Sequence, residues 1–265
     1  MRERHTLRDT DWNRVRHAFR RRTRVGRPSR DPRQILDGVC WILATGAPWR
    51  DLPSRFGPWQ TVYGRFRAWI RDERLRRLLV RLLCRQRLDH GAWCVDTTVI
   101  RASRAAAGAR RHRGAQGLGR SRGGFGTKVS IVCDGRGVPL SVLAGPGQEH
   151  DLRQVEGALR LAMARAGRPL WVIGDKAYSA AWLRGWLQRR AVRPVIPTRS
   201  DQRLDRRFSK PAYRRRNVVE RLIGWLKESR RVATRYDKLL EVYLAFVELA
   251  FLRRLLRVAE FSNKP

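Results

Sequence analysis

Residues 92–102 read AWCVDTTVIRA: four apolar positions, an acid at Asp96, then a β-branched run. That density of apolar and β-branched residues predicts a buried strand interrupted by one carboxylate. Residues 169–178, PLWVIGDKAY, carry a similar arrangement, with Leu170 to Ile173 apolar, a glycine, then Asp175. An acid inside or ending an apolar strand is costly unless something pairs with it. Either aspartate alone suits a strand-end turn or a helix cap. Two in matched contexts, with a third acid downstream, point instead to a shared hard cation, which takes oxygen ligands.

The third acid lies in YRRRNVVERLIGWLK, residues 213–227. At about 100° of rotation per helical residue, Tyr213, Arg216, Glu220 and Lys227 fall within roughly 60° of one another. Val218, Val219, Leu222, Trp225 and Leu226 point the other way. One helix would thus bury an apolar stripe and present a carboxylate flanked by cations and a phenol. The same residues also fit an ordinary capping box, Asn217 with Glu220, in which case Tyr213 and Arg216 would precede the helix. Arg216 and Lys227 offer no lone pair while protonated. Their loss is therefore expected to weaken phosphate binding without altering the metal requirement.

Outward from these segments, strands are predicted at 92–100, 127–133, 138–144, 170–175 and 192–197. Helices are predicted at 151–166, 179–190, 213–232 and 239–258, with Asp151 and Gln154 as a capping box for the first. This order suggests an α/β layer fold. Residues 1–90 read as a small helical domain, with Thr10 or Asp11 capping a first helix. Asp31-Pro32 starts a second helix that ends at Gly46, and 59–83 forms a third. Short helices joined by tight turns suggest a helix-turn-helix-like DNA reader. Tyr63, Phe66 and Trp69 in the third helix fit the core better than a base-reading face. Residues 91–265 form the second domain. Between its first strands, SRAAAGARRHRGAQGLGRSRGG reads as a mobile basic loop that orders on phosphates, with Arg120, Arg122 and nearby Lys128 as candidate DNA contacts.

Composition narrows the partner. Apolar residues make up 42%, with ten tryptophans, so the chain folds rather than remaining a basic tail. A net charge of +36, carried mostly by arginine, calls for a polyanion, and arginine suits bidentate phosphate contacts. No apolar segment follows the opening MRERHTLRD as a secretory signal would, and VYLAFVELAFL is too short to span a bilayer. Cys40, Cys84, Cys94 and Cys133 form no CxxC pair, which speaks against a zinc site and fits a reducing cytoplasm. The five scattered histidines, His112 among them, read as structural or exposed.

The order Asp96, Asp175, Glu220, with Tyr213-x2-Arg216-x3-Glu220-x6-Lys227, resembles the signature of bacterial DDE transposases of the insertion sequence four and five type, most of all the insertion sequence five branch. VDTTVIRA, GRSRGGFGTKVSIVCDGRGVPLSVLAGPGQEHD and GDKAY match further, and GRPSRDPRQILDGVCWILATGAPWRDLPSRFGPWQTVYGRFRAW resembles the helical domain that precedes the catalytic one. Thr97 and Ser179 stand where Ser and Asp are commoner, and neither is an expected ligand. The resemblance covers roughly residues 5 to 257. It implies a ribonuclease H-like fold in the second domain. It also implies metal-dependent strand cleavage at transposon ends and strand transfer into target DNA. Asp96, Asp175 and Glu220 would be the catalytic and metal-binding acids, holding Mg2+ or Mn2+, two ions in all. Tyr213, Arg216 and Lys227 would hold DNA. The expected partners are terminal inverted repeats and target DNA, with no membrane, in a homodimer or larger assembly at the bacterial nucleoid.

Overall fold

The computed structural model describes residues 5–19, 30–108, 115–202, 205–206 and 208–261. His112 and the centre of the basic loop, 109–114, lie outside them. The helical start comprises α1 (Asp9–Val15), α2 (Pro32–Thr45), α3 (Trp59–Arg71) and α4 (Arg74–Leu83). The sheet is built from β1 (Ala92–Ala102), β2 (Gly119–Ser121), β3 (Gly124–Asp134), β4 (Pro139–Pro146), β5 (Trp171–Ile173), β6 (Arg193–Val195) and β7 (Thr234–Arg235). Around it stand α5 (Leu152–Ala166), α6 (Ala181–Gln188), α7 (Lys210–Arg214), α8 (Asn217–Lys227), α9 (Arg230–Ala233) and α10 (Leu240–Phe261). No helix among the described residues is long and apolar enough to cross a membrane.

β3 lies antiparallel between β1 and β4, while β5 and β6 extend the other side of β1 in parallel. Antiparallel meander, then helix, parallel strand, helix, parallel strand is the ribonuclease H-like order. The five predicted strands are all present; the short β2 and β7 have too few residues for a periodic signal. β2 pairs with the start of β3, so the C-terminal side of the basic loop is a hairpin. β7 pairs with the far end of β1, at Arg101 and Ala102.

The helical start does not have a core of its own. One apolar cluster runs from Val39, Phe66 and Leu79 through Trp93 and Val132 to Phe246 and Phe251. α10 packs on α2, α3 and α4 as well as on the sheet side. Phe66 and Trp69 are buried in this cluster, as the spacing predicts, and Tyr63 meets Trp49 with ring centroids 5.0 Å apart.

Helix ends follow tertiary packing more than local cues. Asp31 caps α2 through a bond from the Arg33 N–H, and Gly46 closes it at φ 71°, both as expected. α1 instead starts at Asp9, and Asp11 accepts from the Arg8 guanidinium at 2.8 Å rather than capping. The predicted third helix divides, because Glu73 turns to φ 52° between α3 and α4, each of which packs on α10. The Asp151–Gln154 box does not form: Lys128 Nζ takes Asp151 at 2.5 Å and Gln154 bonds Glu149 at 2.6 Å.

A buried polar knot joins the helical start to the sheet. Arg231 donates to Asp237 at 2.8 and 3.1 Å and to the Ala47 carbonyl at 3.3 Å. Arg235, fully buried, donates to Thr127 Oγ1 at 2.6 Å and to the Gln116 and Lys238 carbonyls. Removing one partner of such a pair leaves a buried charge uncompensated, at about 3–5 kcal/mol. Asp237→Ala should therefore lower unfolding free energy by about that amount in urea melts. A loss under about 1 kcal/mol, the range of an exposed ion pair, would show that the knot is not structural.

Candidate active site

The register of β1 against β5 pairs Cys94 with Ile173. Asp96 and Asp175 each lie two residues further on, Asp96 within β1 and Asp175 just past the end of β5, and Asp96 feels the charge of Asp175. β5 ends there: Asp175 turns away into a short 3-10 segment and accepts from the Ala177 N–H at 2.8 Å through one oxygen. The turn-cap reading is thus realised, and it engages Oδ1 alone. Gly174 makes the exit possible, since a Cβ there would come within 2.9 Å of the Tyr178 ring. Tyr178 is fully buried; burial, then the charges of Asp96, Asp151 and Asp175, push its phenol well above the ordinary range.

Glu220 reaches the same place from α8. Val219, Leu222, Ile223 and Leu226 are buried, each worth roughly 1.5–3 kcal/mol of transfer free energy. That stripe fixes the helix rotation and leaves Glu220 on the outer face, with its side chain 49% exposed. The start of α8 is pinned to β1, with the Cys94 thiol donating to the Arg215 carbonyl at 3.7 Å and Arg215 pairing with Asp89 at 2.6 Å.

The helix predicted over 213–232 is three helices, α7, α8 and α9. Short i→i+3 bonds at Arg215 and Arg216 tighten the chain between the first two. Asn217 is the first residue of α8, Arg216 occupies the cap position, and the Asn217–Glu220 capping box is absent. Tyr213 belongs to α7, half-buried against Phe208 with centroids 5.4 Å apart.

Arg216 links the acids. Its Nη1 donates to Asp96 Oδ2 at 3.1 Å and its Nη2 to Glu220 Oε1. Asp96 Oδ1 accepts from the Thr97 N–H at 2.9 Å. Burial raises the Asp96 pKa above the ordinary value; Arg216 and the Thr97 amide pull it back, while Asp175 and Glu220 raise it further. Burial pulls Arg216 down, but Asp96, Glu220, Tyr213 and Asp175 outweigh it and raise its pKa overall. Three carboxylates are the all-oxygen donor set a hard divalent cation requires, and Asp96 feels both other acids. Among the described residues, however, no three acidic, histidine or cysteine side chains converge on one metal position. Two of the three carboxylates are bonded to Arg216 instead.

Lys227 is exposed in the last turn of α8, beside Thr98 and Ile100 on the Asp96 face of β1. Arg120 and Arg122 are exposed on the hairpin and line a groove of about 700 Å³ with Val99, Arg101, Lys128 and Gln148. Val99 pairs with Lys128, so alternation turns Val99, Arg101 and Lys128 to the face opposite Asp96. Lys128 is a weaker phosphate candidate than its charge suggested, because Asp151 holds its ammonium and its side chain is only 14% exposed. Arg101, exposed in the same groove, was not among the cations singled out from the sequence. Its odd spacing from Asp96 on one strand was the available signal.

Residues 7–79 match the family model described as "Putative transposase of IS4/5 family (DUF4096)", and residues 87–254 match "Transposase DDE domain". A Brucella ovis protein, "Putative transposase for insertion sequence element IS6501", is 35% identical over 129 residues, 47% of this chain and 93% of the relative. "Uncharacterized protein y4sN" of Sinorhizobium fredii is 37% identical over 110 residues, 41% of this chain and 86% of the relative. Among solved structures, a pre-cleavage Mos1 transpososome aligns with TM-score 0.29 and 13% identity over 88% of this chain and 81% of its own. A simian T-cell lymphotropic virus intasome aligns with TM-score 0.33 and 18% identity over 53% of this chain and 39% of its own.

Proposed function

The chain belongs to the DDE transposases of the IS4/5 family, and on that premise we propose that Asp96, Asp175 and Glu220 are its catalytic carboxylates. It is a DNA transposase, and membership implies use of a divalent metal ion and DNA as partner. The reaction is two in-line displacements at phosphorus: water cleaves the strand at a transposon end, and the freed 3′-hydroxyl then attacks target DNA. Mg2+ or Mn2+, as two ions held by the three acids, would supply Lewis-acid charge and acidify a bound water.

The chain's own groups position the DNA. Arg216 presents a planar fork to the scissile phosphate and Lys227 a point charge beside it, with Tyr213 flanking both. On the opposite sheet face, Arg120, Arg122 and Arg101 track a phosphate backbone, and Lys128 supports them from its pair with Asp151. The first family match ends at residue 79 and the second begins at 87, which supports dividing the chain into a unit at 1–90, read as helical, helix-turn-helix-like and DNA-binding, and a catalytic unit at 91–265. The protein acts at the bacterial nucleoid as a homodimer or larger assembly, since two transposon ends must be held together.

The observation that carries this reading is the β1–β5 register, with an acid two residues beyond the same paired position on each strand. The test supplies linear DNA ending in the element's own inverted repeats, a supercoiled target and Mg2+. Joined end–target products are expected. Cut ends with no joined product would make the protein a nuclease that stops at hydrolysis.

A further inference from the structure

Arg216 bonds two of the carboxylates that the proposed function gives to metal, a contact that the sequence-based expectation for its loss did not include. The guanidinium has five donors and no acceptor, so it cannot join a coordination shell. A divalent ion on Asp96 Oδ2 and Glu220 Oε1 competes with Arg216 for the same oxygens. Asp96 is only 17% exposed, and without a cation it would stand as a buried charge beside two other acids. Arg216 supplies that cation within the chain.

Its alternative partner is also evident. A phosphate diester offers the guanidinium the same bidentate geometry as a carboxylate. Arg216 sits at the junction of α7 and α8 with its side chain 20% exposed, so it faces both the acids and the outer surface where DNA would lie. Its neighbour Arg215 is committed to Asp89 instead.

Resting on the transposase reading of the three acids, we propose that Arg216 is a displaceable internal counter-ion that couples metal loading to DNA binding. Phosphate draws the guanidinium off Asp96 and Glu220 and frees their oxygens for metal. By reciprocity, metal on the acids releases Arg216 to phosphate, so each ligand tightens the other by the same factor.

The test is Mn2+ binding by electron paramagnetic resonance, on the full chain, with and without a short duplex. Mn2+ bound by the duplex itself is measured on the duplex alone and subtracted. Without DNA, Arg216→Ala and Arg216→Gln should bind Mn2+ roughly tenfold tighter than wild type, within the 5–150-fold range of such couplings. DNA should tighten the wild type by a similar factor and the two variants far less. Arg215→Ala removes a nearby charge without touching the acids and should change Mn2+ affinity little. Thermal melts in chelator check folding, and Arg216→Gln retains a hydrogen-bonding side chain if alanine does not fold. Unchanged Mn2+ affinity in a folded Arg216 variant overturns the proposal, as does an equal DNA effect in variant and wild type or an equal gain in Arg215→Ala. If Asp96→Asn and Glu220→Gln bind Mn2+ like wild type, the reading of the acids fails instead.

Discussion

Asp96→Asn, Asp175→Asn and Glu220→Gln should each lower cleavage and strand transfer by at least about a thousandfold, several kcal/mol of transition-state charge stabilisation, with duplex affinity lowered by no more than about twofold. Each substitution keeps shape and removes one negative charge. DNA affinity rests on cations and the acids repel phosphate, so losing one acid cannot weaken binding through charge. Asp175→Asn keeps a side-chain oxygen for the Ala177 amide, so the turn beneath it survives. Near-normal cleavage in Mg2+ by any one variant removes that residue from the catalytic set. Loss of cleavage together with loss of DNA binding would point to misfolding.

Affinity for non-specific duplex should fall by roughly 10³–10⁵ between about 50 and 200 mM salt, the response of a protein making six to ten phosphate contacts. The net charge of +36 supplies the cations, though not all of them face DNA. Arg231 and Arg235 are buried in the knot, and Lys128 and Arg215 are paired with acids. Arg101, Arg120 and Arg122 line the groove. A combined change of Arg120 and Arg122 to Ala should lower the slope of log affinity against log salt by about two. A flat salt response would contradict the electrostatic account, whatever the acids do.

The five predicted strands were legible because those segments carry dense apolar runs, and Asp96 and Asp175 stood out as acids within one such run and just after another. The register that brings Asp96 beside Asp175 is not a local property; it follows from which strands pair. The break at Glu73 was not legible, since its segment keeps helical composition; at Arg216 two readings were open, and the structure follows the one that places Tyr213 and Arg216 ahead of α8, though without the capping box. Arg216–Glu220 was visible as a four-residue spacing on one helix face, but its second bond, to Asp96, spans 120 residues of sequence. Gln154 and Asp151 fit a capping box by spacing alone, and longer-range partners at Glu149 and Lys128 outcompete it.

Swapping the softness of each proposed ligand shows whether three carboxylates hold the metal that drives strand transfer. Mg2+ favours oxygen, whereas Mn2+ follows it towards softer donors and tolerates a thiolate better. Asp96→Cys, Asp175→Cys and Glu220→Cys are assayed for strand transfer in Mg2+ and in Mn2+, with DNA binding confirmed in both. If the carboxylates are the ligands, no transfer is detectable in Mg2+ and partial recovery appears in Mn2+ for at least one position, with none in the matching alanine variant. Mg2+-supported transfer near the wild-type rate by all three cysteine variants would contradict it.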